Sequence, residues 1–371
     1  MTGSMAGSDD RFAGWSRWPA RLLLMALAAL VLASALVPIR AADQPYATAG
    51  LADQVTGAKV PGAERPRDHD LLLYDHVIER IGKGENYYAV AAEEHRRSDY
   101  PLRPGFAVRL PTLAYIDMAL GEWGQMAAAI VLMVAVLWAW WRRLGDEGCS
   151  GRARRMGTAL VFFGAALGLN RYYFVLHELW AGQLVALSLA LHRPGQRWVG
   201  ALAAAALALA IREHVLPYVL LMGAFALWRG SRKEFLGWSA LTALFLGGLA
   251  LHLHLVAQHV LPSDAMGPSW LALRGLSGWL SNVVLSSNLR FLPHWLAGPL
   301  VMLAILGWAG WKRELGAFAA LLYLGYGLTF MVVGRPDNFY WGAIVAPAMF
   351  TGLAFAPRAL GSLWRAASSA G

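Results

Sequence analysis

The sequence predicts an all-α polytopic membrane protein, and three observations support this fold class. Hydrophobic residues make up 57% of the 371 residues and charged residues only 15%, well below the roughly 25% of soluble domains. The apolar residues gather in runs close to the length of about 20 residues that crosses a bilayer as a helix. The basic residues behind the net charge of +9 lie mainly in alternate segments between these runs, as the positive-inside rule describes.

Ten apolar runs are candidates for membrane-spanning helices, and two of them are short. They are Arg21–Pro38, Gly124–Trp141, Met156–Asn170, Tyr172–Leu191, Trp198–Ile211, Val215–Trp228, Phe235–Gln258, Trp295–Trp311, Gly316–Val333 and Phe339–Ala356. The turns at Asn170–Arg171 and Arg212–His214 hold the only charges between two runs, which predicts tight helical hairpins there. We expect one membrane domain over residues 1–371, with a first span at 21–38, nine further spans within 124–356 and a cytoplasmic tail at 357–371.

The basic residues also predict the orientation of the chain. With the N-terminus inside, more than half of the Lys and Arg residues lie in cytoplasmic segments, at 11–21, 142–155, 193–197, 229–233, 312–313 and 358–365. The short outer loops hold only Arg171, Arg212, Arg274, Arg290 and Arg335. The sequence therefore predicts both termini inside, and the basic charge reflects topology and predicts no nucleic-acid partner. The first span is either a retained anchor or a cleaved signal peptide, and its length favours the anchor.

The segment from 40 to 122 is a long polar loop between the first two spans. Such length usually indicates a function. Within it, residues 68–81 follow helical spacing and place Leu71, Tyr74, Val77, Ile78 and Ile81 on one face. Gly82 and Gly84 then end this helix. We expect Asp68 or Asp70 at the start of an amphipathic helix on the membrane surface, and a second surface helix at 112–120.

These features resemble the GT-C class of integral-membrane glycosyltransferases, which take sugars from polyprenyl-phosphate carriers. The resemblance is carried by an Asp that opens the loop helix, by Tyr74 four residues after Asp70, by Gly-x-Gly-x-x-Tyr-Tyr from Gly82 to Tyr88, and by Tyr-Pro-Leu from Tyr100. Further matching residues are Gly182-Gln183, Arg212-Glu213 before Pro217, and the run from Arg335 to Tyr340. The resemblance is at superfamily level and covers most of the chain in layout.

The resemblance implies an inverting glycosyltransferase of the bacterial inner membrane whose active site faces the periplasm. A sugar would pass from a polyprenyl-phosphate carrier to a lipid or glycan acceptor, beside membrane lipids. Two other classes stay open. One is a polytopic acyltransferase with His177 as base, and the other is a non-catalytic transporter or assembly protein of envelope polysaccharide synthesis.

Transfer of a sugar needs a base that takes the proton of the acceptor hydroxyl. The resemblance places this carboxylate at the start of the loop helix, on Asp70 or Asp68. The alternative for either residue is a helix N-cap, a role that Asp fills readily.

The phosphate that leaves needs cations, and arginine binds its oxygens bidentately. We expect Arg212, Arg335 and Arg171 in this role, with pairing to Glu213 as the alternative for Arg212. The expected sugar- or acceptor-binding residues are Tyr74, His177, Glu178, Glu213, His214, Asn338 and Tyr340. For Glu178 the alternative is an ion pair with Arg171 or Arg212. No cofactor or metal is expected, because the spacing of His252, His254 and His259 suits zinc poorly. A divalent ion held by Asp68 and Asp70 is the alternative.

Overall fold

The structure is a computed structural model that describes residues 10–40 and 68–369. Within these two ranges every regular element is helical, apart from isolated β-bridges. The all-α prediction is therefore confirmed for the described part of the chain.

The α-helices of these ranges are labelled in chain order. They are α1 (Arg17–Leu36), α2 (His69–Gly82), α3 (Tyr87–Arg97), α4 (Thr112–Asp146), α5 (Gly151–Ala165), α6 (His177–Leu191), α7 (Val199–Ile211), α8 (Leu216–Trp228), α9 (Arg232–Ala257), α10 (Gly275–Leu285), α11 (His294–Gly310), α12 (Glu314–Val332), α13 (Ala346–Met349) and α14 (Ala356–Ser368). Short 3₁₀ segments lie at Gly105–Ala107, Ala166–Leu169, Arg171–Tyr173, Glu213–Val215, Asn288–Phe291, Pro336–Ile344 and Phe350–Ala354.

Four helical segments are long and apolar enough to cross a membrane, namely Arg17–Leu36, Gly105–Asp146, Arg232–Ala257 and Glu314–Val332. Three shorter apolar helical segments are Val199–Ile211, Glu213–Trp228 and His294–Gly310. Large apolar side chains on the long segments are exposed, for example 63% of Leu32 in α1 and 76% of Leu244 in α9. Such exposed apolar surface fits contact with lipid better than contact with water. The count of ten spans and their orientation stay predictions.

The two predicted surface helices of the long loop begin and end close to where the sequence places them, whereas α3 between them was not predicted as a helix. Asp68 is the N-cap of α2, and Gly84 follows the end of this helix with a φ of +89° that glycine adopts without strain. The predicted second surface helix is the first part of α4, which is kinked at Gly121 (φ +58°). The long helix after this kink contains the predicted span Gly124–Trp141.

The last predicted span, Phe339–Ala356, differs from the structure. The chain there forms two 3₁₀ segments around the four-residue helix α13. Pro347 lies in this helix and supplies no N–H for a regular helical ladder. Gly352 packs so closely on α11 that an added Cβ would lie 2.0 Å from the carbonyl oxygen of Ala304. The segment therefore follows the surface of α11 and does not form one long helix.

Two further regions were not predicted as helices. Residues 356–368, expected in a tail from 357 onward, form α14, which buries Ala359 and Leu363 against α1 and α11. Helix α10 falls between two predicted spans and is largely buried, with Leu280 and Val283 fully inside. Its 11 residues are too few to span a bilayer, so a search for long apolar runs does not find it.

The described chain divides into two compact units. Unit 1 contains residues 10–40, 136–167 and 271–369, and unit 2 contains residues 68–135 and 168–270. In unit 1, α1 packs along α11 and α14, and α10 packs against the 3₁₀ segment Pro336–Ile344. In unit 2, α6 packs along α7, α8 along α9, and α2 on α3.

The sequence predicts that the helices on either side of Arg212–His214 form a hairpin, and the structure shows a different packing. Helix α7 packs most closely on α6 and α8 on α9. The close pairs of unit 2 are therefore joined through the turns at 192–198 and 229–231, and not through the charged turn. The charges in the sequence show where a turn lies, but they do not show whether the two helices joined by that turn pack against each other.

The core of unit 2 joins the surface helices to the long helix α9. One buried cluster contains Val77 and Ile81 of α2, Val90 of α3, Val256 of α9, and Leu102 of the loop after α3. The predicted face of α2 is confirmed, because Leu71, Val77 and Ile81 are buried and Tyr74 and Ile78 pack partly against the cluster. This core fixes the start of α2, where the candidate base lies.

His95 of α3 makes the stability of unit 2 dependent on pH. Burial lowers the pKa of His95 to about 4, and its Nδ1 lies 3.1 Å from the carbonyl oxygen of Pro101. The unfolded chain binds this proton more readily than the folded chain does. The free energy of unfolding is therefore highest above about pH 6.5 and decreases as the pH falls toward 4. We expect a loss of about 3 kcal/mol across this window.

The measurement is thermal unfolding of the purified protein in detergent between pH 7 and pH 4. His95→Gln keeps a donor for Pro101 and should weaken the dependence between pH 6.5 and pH 4. His69→Gln, at an exposed position of α2, is the matched control and should keep the wild-type dependence. An unchanged dependence in His95→Gln would refute the assignment.

Candidate functional site

The start of α2 carries the two candidate bases. Asp68 is the N-cap, its backbone N–H donates to the Tyr172 hydroxyl over 3.1 Å, and its carboxylate makes no capping hydrogen bond. Asp70 lies in the first turn, is half-buried and accepts a hydrogen bond from the Tyr100 hydroxyl. The capping alternative therefore does not describe Asp70, whose carboxylate is held by a residue 30 positions away.

A buried cluster of charges lies where α6 begins and α7 ends. Arg212 Nε lies 2.7 Å from Glu178 Oε1, and Arg212 also pairs with Glu213. Arg212 and Glu178 are each only 1% exposed, whereas Glu213 is 18% exposed. His214 Nε2 lies 3.6 Å from Glu213 Oε1 at the outer side of the cluster. The structure thus brings four predicted site residues together, and Arg212 makes the pairing with Glu213 that was its alternative role.

Arg109 links this cluster to α2, and the sequence analysis missed it. Its Nη2 lies 3.9 Å from Glu178 Oε1, and its Nε donates to the Tyr74 hydroxyl over 2.9 Å. The Tyr87 hydroxyl donates to the backbone carbonyl of Arg109 over 2.7 Å. Burial raises the pKa of Tyr74, so its hydroxyl stays protonated and keeps a proton to donate. The signal in the sequence is a lone arginine between the buried residues Val108 and Leu110.

The cluster is close to electrically neutral but is not saturated with hydrogen bonds. Arg109 and Arg212 balance Glu178 and Glu213, which lowers the cost of burying each charge. Among the described residues, neither carboxylate oxygen of Glu178 and neither Nε nor Nη2 of Arg212 has a hydrogen-bond partner. The close Arg212–Glu178 contact is therefore an ion pair without hydrogen-bond alignment. Buried polar atoms in proteins are rarely left unbonded, so this cluster has capacity to bind a polar ligand.

His177 lies beside the cluster at the start of α6. It is 4% exposed, and its ring meets that of Tyr74 edge to face with centroids 5.6 Å apart. Neither ring nitrogen has a hydrogen-bond partner in the described chain. His177 and Tyr74 both line a small cavity under α2. A second residue that the sequence analysis missed, Asp117, lines the same cavity.

The other predicted ligands make contacts of their own. Arg171 pairs with Glu122 and is 62% exposed, as a solvated surface pair would be. Arg335 belongs to unit 1, where its backbone N–H donates to Asn338 and its side chain lies 3.4 Å from Asp337. The Asn338 amide donates to the Tyr340 hydroxyl over 3.3 Å. These contacts order the 3₁₀ segment at Pro336–Ile344, and the predicted roles of its residues stay predictions.

The described residues contain no group of three or more His, Cys, Asp or Glu placed to hold a metal ion. His252, considered for zinc, instead lies 3.2 Å from the Val108 carbonyl and 3.3 Å from the Tyr88 hydroxyl. Its contacts attach α9 to the loop that carries Arg109. The prediction that no metal or cofactor takes part is not tested by these contacts.

Comparisons of the chain with protein families, with curated proteins and with solved structures found no match.

The buried pair predicts a stability difference between two arginines of unit 2. Arg212→Met leaves Glu178 with Arg109 at 3.9 Å as its nearest cation and should cost about 3–5 kcal/mol of unfolding free energy. Arg171→Met breaks an exposed pair with Glu122 and should cost less than about 1 kcal/mol. The measurement is equilibrium unfolding in mixed micelles of mild detergent and dodecyl sulfate. Equal losses for the two variants would contradict the assigned burial of the Arg212 pair.

Proposed function

We propose that this protein is an integral-membrane glycosyltransferase that moves a sugar from a polyprenyl-phosphate carrier to a lipid or glycan acceptor. The observation that carries the proposal is a half-buried carboxylate, Asp70, at the start of a surface helix in the same unit as the buried arginine cluster. A base for the acceptor and cations for the leaving phosphate are the two groups that this reaction needs.

In the proposed reaction, Asp70 takes the proton of the acceptor hydroxyl as the oxygen attacks the anomeric carbon. The bond between that carbon and the phosphate oxygen breaks as the phosphate leaves from the face opposite the attack. The configuration at the anomeric carbon is therefore inverted. The hydrogen bond from Tyr100 orients the Asp70 carboxylate. Asp68, two residues earlier at the helix cap, is the alternative base.

Arg212 is proposed to hold the donor phosphate through its Nη2, which has no hydrogen-bond partner among the described residues. Glu178 lies against Nε and Glu213 against Nη1, so the two carboxylates hold the guanidinium in place. Arg109 adds a second cation near the same carboxylate. Guanidinium groups pair with phosphate oxygens in a planar, bidentate manner, which suits the leaving polyprenyl phosphate. Arg335 and Arg171 stay secondary proposals for this role.

The first test replaces the candidate bases. Asp70→Asn keeps the hydrogen bond from Tyr100 but removes the basic carboxylate, and we expect transfer to slow by about 10²–10⁴-fold. The assay follows a radiolabelled sugar from a synthetic polyprenyl-phosphate donor with the purified protein and total membrane lipid as acceptor. Asp68→Asn identifies the base if Asp70→Asn is active. Asp99→Asn, at an exposed loop position with a φ of +56° that Asn also adopts, is the matched control.

Full transfer by both Asp70→Asn and Asp68→Asn would exclude both carboxylates as the base. The absence of any donor consumption by the wild type would contradict the glycosyltransferase proposal itself.

A second candidate function is acyl transfer with His177 as base. The observation that favours it is the buried imidazole whose two nitrogens lack hydrogen-bond partners within residues 10–40 and 68–369. Transfer of a labelled acyl chain from acyl-coenzyme A or phospholipid, lost in His177→Gln and retained in Asp70→Asn, would favour this function over sugar transfer.

The proposed orientation places the candidate site on the periplasmic face of a bacterial inner membrane. Cys149, the one cysteine of the chain, lies between α4 and α5 in a segment proposed to be cytoplasmic. A membrane-impermeant maleimide should therefore label it in inverted vesicles and not in intact spheroplasts. The reciprocal variant, Cys149→Ser with Ser98→Cys in the loop after α3, should show the opposite pattern. Labelling of Cys149 from outside would reverse the proposed topology.

A further inference from the structure

Helix α14, at the end of the described chain, has one apolar side and one basic side. Its 13 residues are too few to cross a bilayer. One side buries Ala359, Leu363 and Ala366 in unit 1. Arg358 and Arg365 are about two turns apart, so they lie on a common side, and both are exposed. A helix with this division is typical of helices that lie in the plane of a membrane surface.

Helices α1 and α11 of unit 1 pack along each other in opposite directions. Gly298, near the start of α11, lies so close to α1 that an added Cβ would lie 2.1 Å from the carbonyl oxygen of Ser34, near the end of α1. At the other end, Leu306 of α11 shares a buried cluster with Ala20 of α1. The end of α11 therefore lies beside the start of α1. Because α1 is long and apolar enough to cross a membrane, we expect both of these ends near one membrane surface.

Helix α14 contacts both of these ends, so it lies along the same surface. Near its start, Ala359 packs on Gly310 of α11, where an added Cβ would lie 2.5 Å from the Cβ of Ala359. Near its end, the carbonyl oxygen of Ala367 accepts a hydrogen bond of 2.9 Å from Arg21 Nε of α1. This hydrogen bond satisfies one of the carbonyl groups that a helix end leaves without a partner. The basic residues of the sequence predict that this surface is the cytoplasmic one.

The charge at this end of unit 1 is basic. Helices α1 and α14 together contain four arginines and no acidic residue. The arginines are Arg17, Arg21, Arg358 and Arg365. Within residues 10–40 and 68–369 none of them forms an ion pair with a carboxylate, since the hydrogen bonds of Arg21 and Arg365 go to a backbone carbonyl and a serine hydroxyl. Asp10, the nearest described acidic residue before α1, is only 5% exposed.

Two exposed tryptophans lie beside these arginines. Trp18 of α1 is 61% exposed, and Cζ of Arg17 and of Arg21 lies 5.7 and 5.8 Å from the centroid of its ring. Trp364, next to Arg365 in α14, is 68% exposed. Tryptophan is enriched at the level of the lipid headgroups, where its amphipathic ring meets both water and acyl chains. Exposed tryptophan beside arginine therefore fits contact with headgroups better than contact with water alone.

The combination of side chains defines the chemistry of the ligand. Guanidinium groups bind phosphate oxygens bidentately, which calls for an anion. A soluble anion would satisfy the arginines but would leave the indole rings in water. A phospholipid with a net negative headgroup supplies phosphate oxygens for the arginines and apolar carbons for the tryptophans. A zwitterionic phospholipid brings its own cation, which the arginines repel.

We propose that this basic face binds the headgroups of anionic phospholipids in the adjoining leaflet. The face consists of Arg17, Trp18, Arg21, Arg358, Trp364 and Arg365. The headgroup phosphate lies against the guanidinium groups, and the first carbons of the acyl chains lie beside the indole rings. The proposal uses residues of unit 1 alone, so it does not rest on the proposed transfer of sugar.

The test measures the binding of defined lipids to the purified full-length protein. The protein in neutral detergent is titrated with dioctanoyl phosphatidylglycerol or dioctanoyl phosphatidylcholine, and bound lipids are counted by native mass spectrometry. We expect the first phosphatidylglycerol to bind with a dissociation constant at least about tenfold lower than that of the first phosphatidylcholine. Raising ammonium acetate from about 0.1 to about 0.5 M should weaken the binding of phosphatidylglycerol alone. Glycerophosphoglycerol, the same headgroup without acyl chains, should not bind at the concentration that saturates phosphatidylglycerol.

Variants connect this binding to the basic face. Arg358→Gln with Arg365→Gln should weaken the binding of phosphatidylglycerol at least about tenfold and leave that of phosphatidylcholine unchanged. Arg358→Lys with Arg365→Lys keeps both charges and should stay within about threefold of the wild type. If the double glutamine variant does not fold, Arg17→Gln provides the comparison, with an expected loss of at least about threefold. The control is Lys83→Gln with Arg97→Gln, which removes two exposed charges that already pair with carboxylates of unit 2, and it should bind as the wild type does.

Several results would overturn the proposal. Equal dissociation constants for the two lipids in the wild type would show that the face does not select an anion. Wild-type binding in the glutamine variants, or an equal loss in the control, would show that phosphatidylglycerol binds elsewhere or responds to net charge alone. Binding of glycerophosphoglycerol as tight as that of the lipid would assign the face to a soluble anion. A dimer that the double glutamine variant abolishes would assign it to a second copy of the chain.

Discussion

Glu178 follows the first residue of α6 and Arg212 follows the last residue of α7, so their ion pair closes one end of this helical pair. Neither charge would stay buried alone, because the desolvation of an unpaired ion costs several kcal/mol. Their pairing also draws in Arg109 from the loop before α4, and with it Tyr74 of α2. The positions of Arg109 and Tyr74 in the candidate site therefore depend on the neutralisation of these two charges.

At the opposite end of the pair formed by α6 and α7 lies a buried charge whose hydrogen bonds are all made. Glu234 of α9 is fully buried, and its carboxylate accepts hydrogen bonds from His192, Arg229 and the backbone of Gly195 at 2.7–3.0 Å. Both of its oxygens are bonded, which attaches the turn between α6 and α7 to α9. The contrast with Glu178, whose oxygens make no hydrogen bond in the described chain, separates a purely structural charge from one that can serve a ligand.

Much of the surface-helix region was predictable, because its signals are local. The helical spacing from 68 to 81, the glycines that follow, and the carboxylates at its start are all contained within about five turns of chain. Arg109 and Asp117 were missed for the opposite reason. Each lies near an apolar segment whose burial depends on α2 and α3 packing over it, and the sequence near each residue does not record that packing.

The sequence by itself determined the helical class, the apolar segments long enough to cross a membrane, and the start of α2 with its two carboxylates. These features depend on composition and on periodicity within one helix. Only the tertiary structure decided that α7 packs on α6 and α8 on α9, and that Glu178 meets both Arg109 and Arg212. Such contacts join residues far apart in the chain, and they follow from the summed packing of many side chains and from the need to pair every buried charge.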